Sequence, residues 1–377
     1  MGVASYENTA IQSLSEQEVL WAVGLTLLPG IGNITAKRLI AFCGGLEGVY
    51  RQTPSSLQRI PGIGPGLSRA LSQGQALRLA ESEMAFIRKE QIRILVYLDQ
   101  HYPERLKMCE DGPVVLYVKG AGGLECRRNV AVVGTRKATD YGRECTRKLV
   151  QGLAGKVDQV ISGLAYGIDA EAHKSALDNG IPTFAVLAHG LDHLYPAVHR
   201  KLAGRMLEKG GLITEFASGS LPDREHFPRR NRIIAGMCDA TIVVEAAEKG
   251  GALITADLAD SYNRDVFALP GRTNDPMSSG CLKLIRSQKA GLISSAEDVL
   301  YDMNWDEEKA SSGHQTSLFP GTNPLAEGIW DILTECRSLD ELQPESGLSQ
   351  GRLRALLLEM ELEGWVEAIP GNRWRRR

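Results

Sequence analysis

The sequence predicts an α/β protein: a Rossmann-like, doubly wound, mostly parallel sheet, with a helical module before it and a winged helix after it. Three observations carry this. Between residues 130 and 300, short apolar runs alternate with helical stretches, as in an open parallel sheet covered on both faces. Before residue 104 the chain reads as short helices broken by Gly and Pro. After residue 324, three helical segments precede two short extended ones. The expected boundaries are 1–104 for the helical module, 105–303 for the core, 304–323 for a linker and 324–377 for the winged helix.

Composition bounds the function. The 377 residues suit two or three domains, and 43% hydrophobic content suffices for their cores. A formal net charge of -3, from 43 basic and 46 acidic residues, excludes a globally basic nucleic-acid binder, so any phosphate contact must come from a local patch. Cysteines 43, 109, 126, 145, 238, 281 and 336 are scattered, odd in number and without Cys-x-x-Cys. That argues against zinc or a disulfide framework and suits a reducing, cytoplasmic setting. Residues 1–19 lack a basic segment followed by an apolar one, so no signal peptide is expected, and no apolar run is long enough to span a membrane.

In the first hundred residues Pro-Gly-Ile-Gly occurs at Pro29 and again at Pro61, which predicts an internal repeat. Each copy resembles a helix-hairpin-helix element of a SAM-like module, in which glycines let the backbone approach a DNA phosphate at a helix N-terminus. Few basic residues lie nearby, so a compact helical module without a ligand is the preferred reading. Residues 93–101 and 113–118 read as strands leading into the core. The core strands are the runs VAVVG, QVISG, TFAVLA, GLITEF, ATIVVEA and VFALPG. Polar 304–323 reads as linker. In 324–377, AEGIWDILTECRS, LDELQ and SQGRLRALLLEMELEG read as helices, and the remainder as a wing around Pro370-Gly371-Asn372, with Arg375-Arg376-Arg377 a solvated, disordered end. The third helix carries Arg352 and Arg354 against Glu359, Glu361 and Glu363, which favours a protein contact over a phosphate contact.

Four loops are expected to meet at the sheet's carboxyl edge, where ligands of such sheets bind. The first holds Gly134, Thr135 and Arg136, with Arg136 standing where a dinucleotide fold has its second glycine. A phosphate therefore fits better than a nicotinamide cofactor. The second holds Ser162, Gly163 and Asp169, with Lys174 following on its helix. Third comes Phe227-Pro228-Arg229-Arg230-Asn231-Arg232, and fourth Glu245 through Gly250, Gly251 and Ala252. The candidate DNA-binding set is Gly134, Thr135, Arg136, Ser162, Gly163, Lys174, Arg229, Arg230, Asn231, Arg232, Gly250 and Gly251, with Tyr141, Tyr166 and Phe227 as base-stacking candidates. Other roles stand beside these. Asp169 either caps its helix or serves the site, and His173 reads as packing. Arg230 and Arg232 either bind phosphate or pair with Glu215 or Glu225, and Glu245 is read as holding an arginine in place.

The motifs VAVVGTRKATDYG, SGLAYGIDAEAHKSAL, GLDHLYPAVHR, FPRRNRIIAGM, VVEAAEKGGALITADLA and SSGCLKLI, in this order, resemble those of the DNA-processing protein A (DprA/Smf) family. The resemblance covers residues 20–377. It implies a homodimeric, non-enzymatic protein without cofactors. Such a protein binds and protects single-stranded DNA and helps load the RecA recombinase during natural transformation. It places the family's phosphate-binding arginine on Arg136 and its basic position after the Ala-His pair on Lys174. Leu282 departs from the family's usual Asn. The alternative is a nucleotide-processing enzyme related to lysine-decarboxylase-like phosphoribohydrolases. Here the stretch Lys249–Thr255 lacks their third glycine and trailing glutamate, leaving Glu245 with Asp257 as the carboxylates to test.

Overall fold

The computed structural model describes residues 14–305, 324–362, 364–369 and 372–376. They form two compact units, divided after Trp305.

The first unit opens with α1 (Glu16–Leu27), α2 (Asn33–Cys43), α3 (Leu46–Arg51), α4 (Pro54–Leu57), α5 (Pro65–Ser72) and α6 (Gln75–Lys89). Ser15 and Glu18 close a capping box at the start of α1. The sequence repeat is a structural one. Gly30 and Gly62 take φ of 89° and 90°, and the amides of Ile31 and Ile63 donate to Leu28 and Ile60 at 3.1 Å in both copies. The first hairpin faces the rest of the unit. Asn33 donates to Glu215 at 2.9 Å and accepts from the Val114 amide at 2.9 Å, while Lys37 donates to the Cys109 carbonyl at 2.9 Å.

A nine-stranded sheet follows, in the order β1 (Arg93–Val96), β2 (Val115–Lys119), β6 (Gly211–Thr214), β5 (Thr183–Val186), β4 (Gln159–Ser162), β3 (Asn129–Val133), β7 (Ala240–Val243), β8 (Asp265–Ala268) and β9 (Gly291–Leu292). The pairings β1–β2 and β2–β6 are antiparallel, and those from β6 to β9 parallel. The sheet thus begins at residue 93, twelve residues before the expected start of the core at 105. Leu95 of β1 belongs to the same buried cluster as Ala131 and Val133, while Val96 packs in the cluster of the helical module, so the strand joins the two cores. Helices α7 (Glu104–Lys107), α8 (Asp140–Gly152), α9 (Ile168–Asp178), α10 (Arg200–Lys209), α11 (His226–Met237), α12 (Gly251–Ser261), α13 (Ser279–Arg286) and α14 (Ala296–Asp302) complete the unit.

Strand β3 is buried along its whole length, and its side chains alternate between two cores. Ala131 and Val133 pack towards Ile233 and Ala256, on α11 and α12, and Val130 and Val132 towards Ile168 and Leu149, on α9 and α8. Between β4 and β7, β3 is the strand at which the chain order reverses, so the crevice of the doubly wound sheet opens at its carboxyl end.

The second unit comprises α15 (Pro324–Ile332), β10 (Arg337–Ser338), α16 (Leu339–Ser346), α17 (Gln350–Leu362), β11 (Val366–Ile369) and β12 (Arg373–Arg376), with strand order β10-β12-β11. This is the winged helix, cored by Ile329, Leu342, Leu357 and Trp374. The arginine-rich end differs from expectation. Arg373, Arg375 and Arg376 belong to β12. The Arg375 side chain pairs with Glu367, and Arg376 stands 4.7 Å over the Trp330 ring while donating to the Trp330 carbonyl at 3.1 Å. A β-strand with aromatic and carboxylate partners has replaced the solvated tail. Residues 1–13, Pro370, Gly371, Arg377 and most of the expected 304–323 linker lie outside the described residues. Trp305 closes the first unit's core.

Candidate functional site

A cavity of about 260 Å³ opens at the carboxyl end of β3 and collects parts of all four predicted loops: Gly134, Thr135 and Arg136; Ala165 and Asp169; Phe227, Arg230 and Asn231; Lys249, Gly250 and Gly251. Its floor is made by close packing. A β-carbon on Gly134 would lie 2.5 Å from Ile168 Cγ1, and one on Gly167, whose φ is 81°, would overlap the Thr135 carbonyl. The first two loops interlock because both residues lack side chains. Gly250 and Gly251 differ. A β-carbon on Gly250 would meet nothing within 4 Å, and one on Gly251 would reach Asn231 Nδ2 at 4.0 Å. Packing does not demand glycine there, while the space above stays open to a ligand. Gly250 is also the N-cap of α12, without a side-chain cap, so the first amides of that helix face the cavity's wall uncapped.

Asp169 does not cap α9, whose N-cap is Gly167. Its carboxylate instead accepts from the amides of Gly163 at 3.1 Å and Ala165 at 3.4 Å. It fastens a turn in which buried Leu164 takes a left-handed φ of 54°. Burial raises the Asp169 pKa against the opposing pull of Arg230 and these amides. Arg230 is buried as well, donating to the Gly163 carbonyl at 2.6 Å, to the Val186 carbonyl, and to Asn231 Oδ1 at 3.0 Å. Burial lowers its pKa to about 10, with Asp169 opposing, so it stays a cation at neutral pH. Asn231 passes the connection on to the first turn of α12 by donating to the Gly251 carbonyl at 3.2 Å.

Arg136 is exposed, 4.9 Å over the Phe227 ring, and among the described residues it has no carboxylate partner. Next to it a second, small opening is lined by Arg136, Gly163, Tyr166, Tyr195, Pro196 and Phe227. Tyr166 and Tyr195 are 47% and 45% exposed, and Phe227 packs on Tyr195 at 6.2 Å between ring centres. A cation beside accessible rings and unclaimed amides offers the two contacts an unpaired nucleotide needs, one to phosphate and one to a base face.

Several candidates fall elsewhere. Ser162 is buried and donates to the Val132 carbonyl at 2.7 Å, joining β4 to β3. Arg232 is buried in an ion pair with Glu215 and also donates to the Asp111 carbonyl, so it does not reach the cavity. Arg229 is exposed, 5.1 Å over Phe216 and 3.9 Å from Glu215. Lys174 lies in a separate groove between α8, α9 and α10. Among the described residues Glu245 holds no arginine. It is buried, accepts from the Thr139 amide at 3.0 Å and from the Thr139 hydroxyl, and fixes the start of α8. Asp257 pairs with Lys289 at 2.6 Å on the surface. Tyr141 is 55% exposed, and its hydroxyl reaches the Pro270 carbonyl at 3.5 Å. His173 packs as expected, fully buried, with Nδ1 2.7 Å from Thr183 Oγ1. Sequence reasoning missed Tyr195. It follows β5, whose carboxyl end lies on the same edge, and that position was the available signal.

Comparisons with known proteins show the family and the fold. The family model for DNA recombination-mediator protein A matches residues 93–304, and the model for the DprA winged helix domain matches residues 319–372. Protein Smf of Synechocystis is 33% identical over 97% of this chain and 100% of its own length. DNA processing protein DprA of Streptococcus pneumoniae is 42% identical over 55% of this chain and 73% of its own. The X-ray structure of the Streptococcus pneumoniae protein superposes with a TM-score of 0.66 at 32% identity, covering 77% of this chain and 98% of that one. DNA processing protein A of Helicobacter pylori, in a structure concerned with its single-stranded DNA binding mode, gives 0.52 at 28% identity over 57% of this chain and 97% of that one.

Proposed function

The chain belongs to the DNA recombination-mediator protein A family, and from that membership we propose that it binds single-stranded DNA at the carboxyl end of β3. The carrying observation is Arg136, an exposed guanidinium with an aromatic partner and no described carboxylate partner, facing the uncapped start of α12. A strand's phosphate sits on Arg136 and the Gly250–Gly251 amides, and its bases turn towards Tyr166, Tyr195 and Phe227. Affinity is electrostatic, tolerant of sequence and sensitive to salt. The protein acts as a homodimer that protects the strand and passes it to a RecA recombinase, without chemistry of its own. The enzymatic alternative has little support, since Glu245 is committed to Thr139 and Asp257 to Lys289.

Titrating a labelled oligothymidylate and a duplex of equal length at two salt concentrations tests the reading. The single strand binds more tightly, with affinity falling as salt rises. Equal or absent binding of the single strand overturns it.

A further inference from the structure

Two of the three rings proposed to face the bases depend on connections outside the sheet. Phe227 is the second residue of α11, just after the connection from β6, and Tyr195 lies in the connection from β5 to α10. One segment, 214–220, backs both. The Thr214 hydroxyl accepts from the Phe216 amide at 3.1 Å and donates to the His189 carbonyl at 2.9 Å, while His189 Nε2 accepts from the Tyr195 amide at 3.2 Å. Further along, the Gly190 amide donates to the Ser220 carbonyl and the Gly219 amide to Asp192, each at 2.9 Å. Phe216 stacks on His226, the residue before Phe227, with ring centres 4.2 Å apart, and Phe227 packs on Tyr195.

The helical module grips that segment from behind. Glu83 of α6 takes the Ser218 amide on one carboxylate oxygen at 2.9 Å and the Ser218 hydroxyl on the other at 2.5 Å. Glu83 is buried, and among the described residues no cation pairs with it. Asn33 of α2 donates to Glu215 within the same segment, and Ala217 packs against the module's core. Burying a carboxylate against two neutral donors carries a desolvation cost that an apolar side chain would avoid, so what the contact secures is the position of residue 218. We propose that the helical module is the positioning element of the single-strand site: through Glu83 it holds segment 214–220, and through that segment it holds the Phe227 and Tyr195 rings in place for stacking. A ring held before binding loses less of its stacking energy to ordering. The module thus serves the strand without touching it, and the proposal rests on the single-strand reading above.

The full-length protein is titrated with an oligothymidylate and with a strand of the same length whose central residues are abasic. The second strand offers the same phosphates to Arg136 and the Gly250–Gly251 amides but no base to stack. The wild type should prefer the thymidylate about tenfold. Glu83→Ala should lower that preference about fivefold, the worth of one stacked base, and leave the abasic affinity within about twofold of wild type. Glu83→Gln still accepts from the Ser218 amide and turns a donor to the hydroxyl oxygen, so it should keep the preference within about twofold of wild type. General loss of packing would instead weaken both strands alike. No preference in the wild type, an unchanged preference in Glu83→Ala, an equal loss on both strands, or no rescue by Glu83→Gln overturns the proposal. Should a thermal melt show that Glu83→Ala does not fold, Ser218→Ala takes its place with the same outcomes. If the wild type binds neither strand, the single-strand reading fails by itself, and hydrogen exchange in the free protein decides the positioning. Peptides covering 190–195 and 215–227 should then exchange faster in Glu83→Ala, with those of β3 and β7 unchanged. Unaltered exchange in the two connections overturns it.

Discussion

The Arg230 guanidinium lies against the backbone of Gly163: Nη1 donates to the Gly163 carbonyl at 2.6 Å, and a β-carbon at 163 would overlap all three guanidinium heavy atoms nearest to it. The charge is buried, anchored also on Val186, and faced by Asp169. It cannot swing away without losing those partners. Gly163→Ala is expected to destabilise the fold by about 1–3 kcal/mol, read as a lower urea midpoint with unchanged slope. An unchanged midpoint would mean that the guanidinium relaxes without cost.

Arg136→Ala removes the exposed cation at the cavity mouth. Loss of one charge-assisted phosphate bond should weaken single-strand binding by about 1.5–3 kcal/mol, with the melting temperature retained because the side chain is exposed. Anisotropy titration together with a thermal melt separates these. Wild-type affinity in the folded variant removes Arg136 from the interface.

Lys174→Ala acts in the second groove. If a strand's phosphate reaches it, the slope of log affinity against log salt should become shallower by about 0.7, the value for one contact to single-stranded nucleic acid. A slope unchanged within error places Lys174 off the strand's path.

His173 predicts a pH dependence. The folded protein holds its ring neutral, with burial pushing the pKa from 6.5 down to about 3 and Arg230 and His199 adding to the shift. The unfolded chain takes up the proton more readily, so this contribution to stability is complete above about pH 6.5 and declines as pH falls towards 3. At pH 5 the loss is about 2 kcal/mol. His189 and His199 are lowered too and act in the same sense, so the useful quantity is a difference. Urea unfolding of wild type and His173→Gln at pH 7 and pH 5 should give a smaller drop for the variant.

A fragment starting at residue 105 should be less stable than one starting at 93, because it loses β1, one of the two strands paired with β2. Chemical denaturation of the two fragments checks this. Equal midpoints would make β1 dispensable.

Much of this arrangement was legible in the residues. Each core strand was a short apolar run, and the turn after Val133 marked the ligand edge because Arg136 replaces a glycine. The repeat at Pro29 and Pro61 was visible as four identical letters. What sequence could not assign was the direction of neighbouring side chains on one helix. Residues 229–232 of α11 point successively to Phe216, Gly163, the start of α12 and Glu215, because each step turns about 100° and the surrounding elements decide what each meets. Four polar residues in a row therefore read as one patch, although two are buried arginines with different partners. Glu245 was misassigned for a related reason: its partner Thr139 lies over a hundred residues away, brought close by the β3–β7 pairing.

Gly250 and Gly251 stand in open space, and Gly251 is already helical, so alanine there suits the backbone as well as glycine or better. Natural or laboratory alleles at these two positions should accumulate to normal cellular levels while losing the proposed single-strand binding. Alleles at Gly134, Gly163 or Gly167 should instead be recovered as low-abundance proteins. Immunoblotting a collection of inactive alleles would sort one class from the other without purifying any of them.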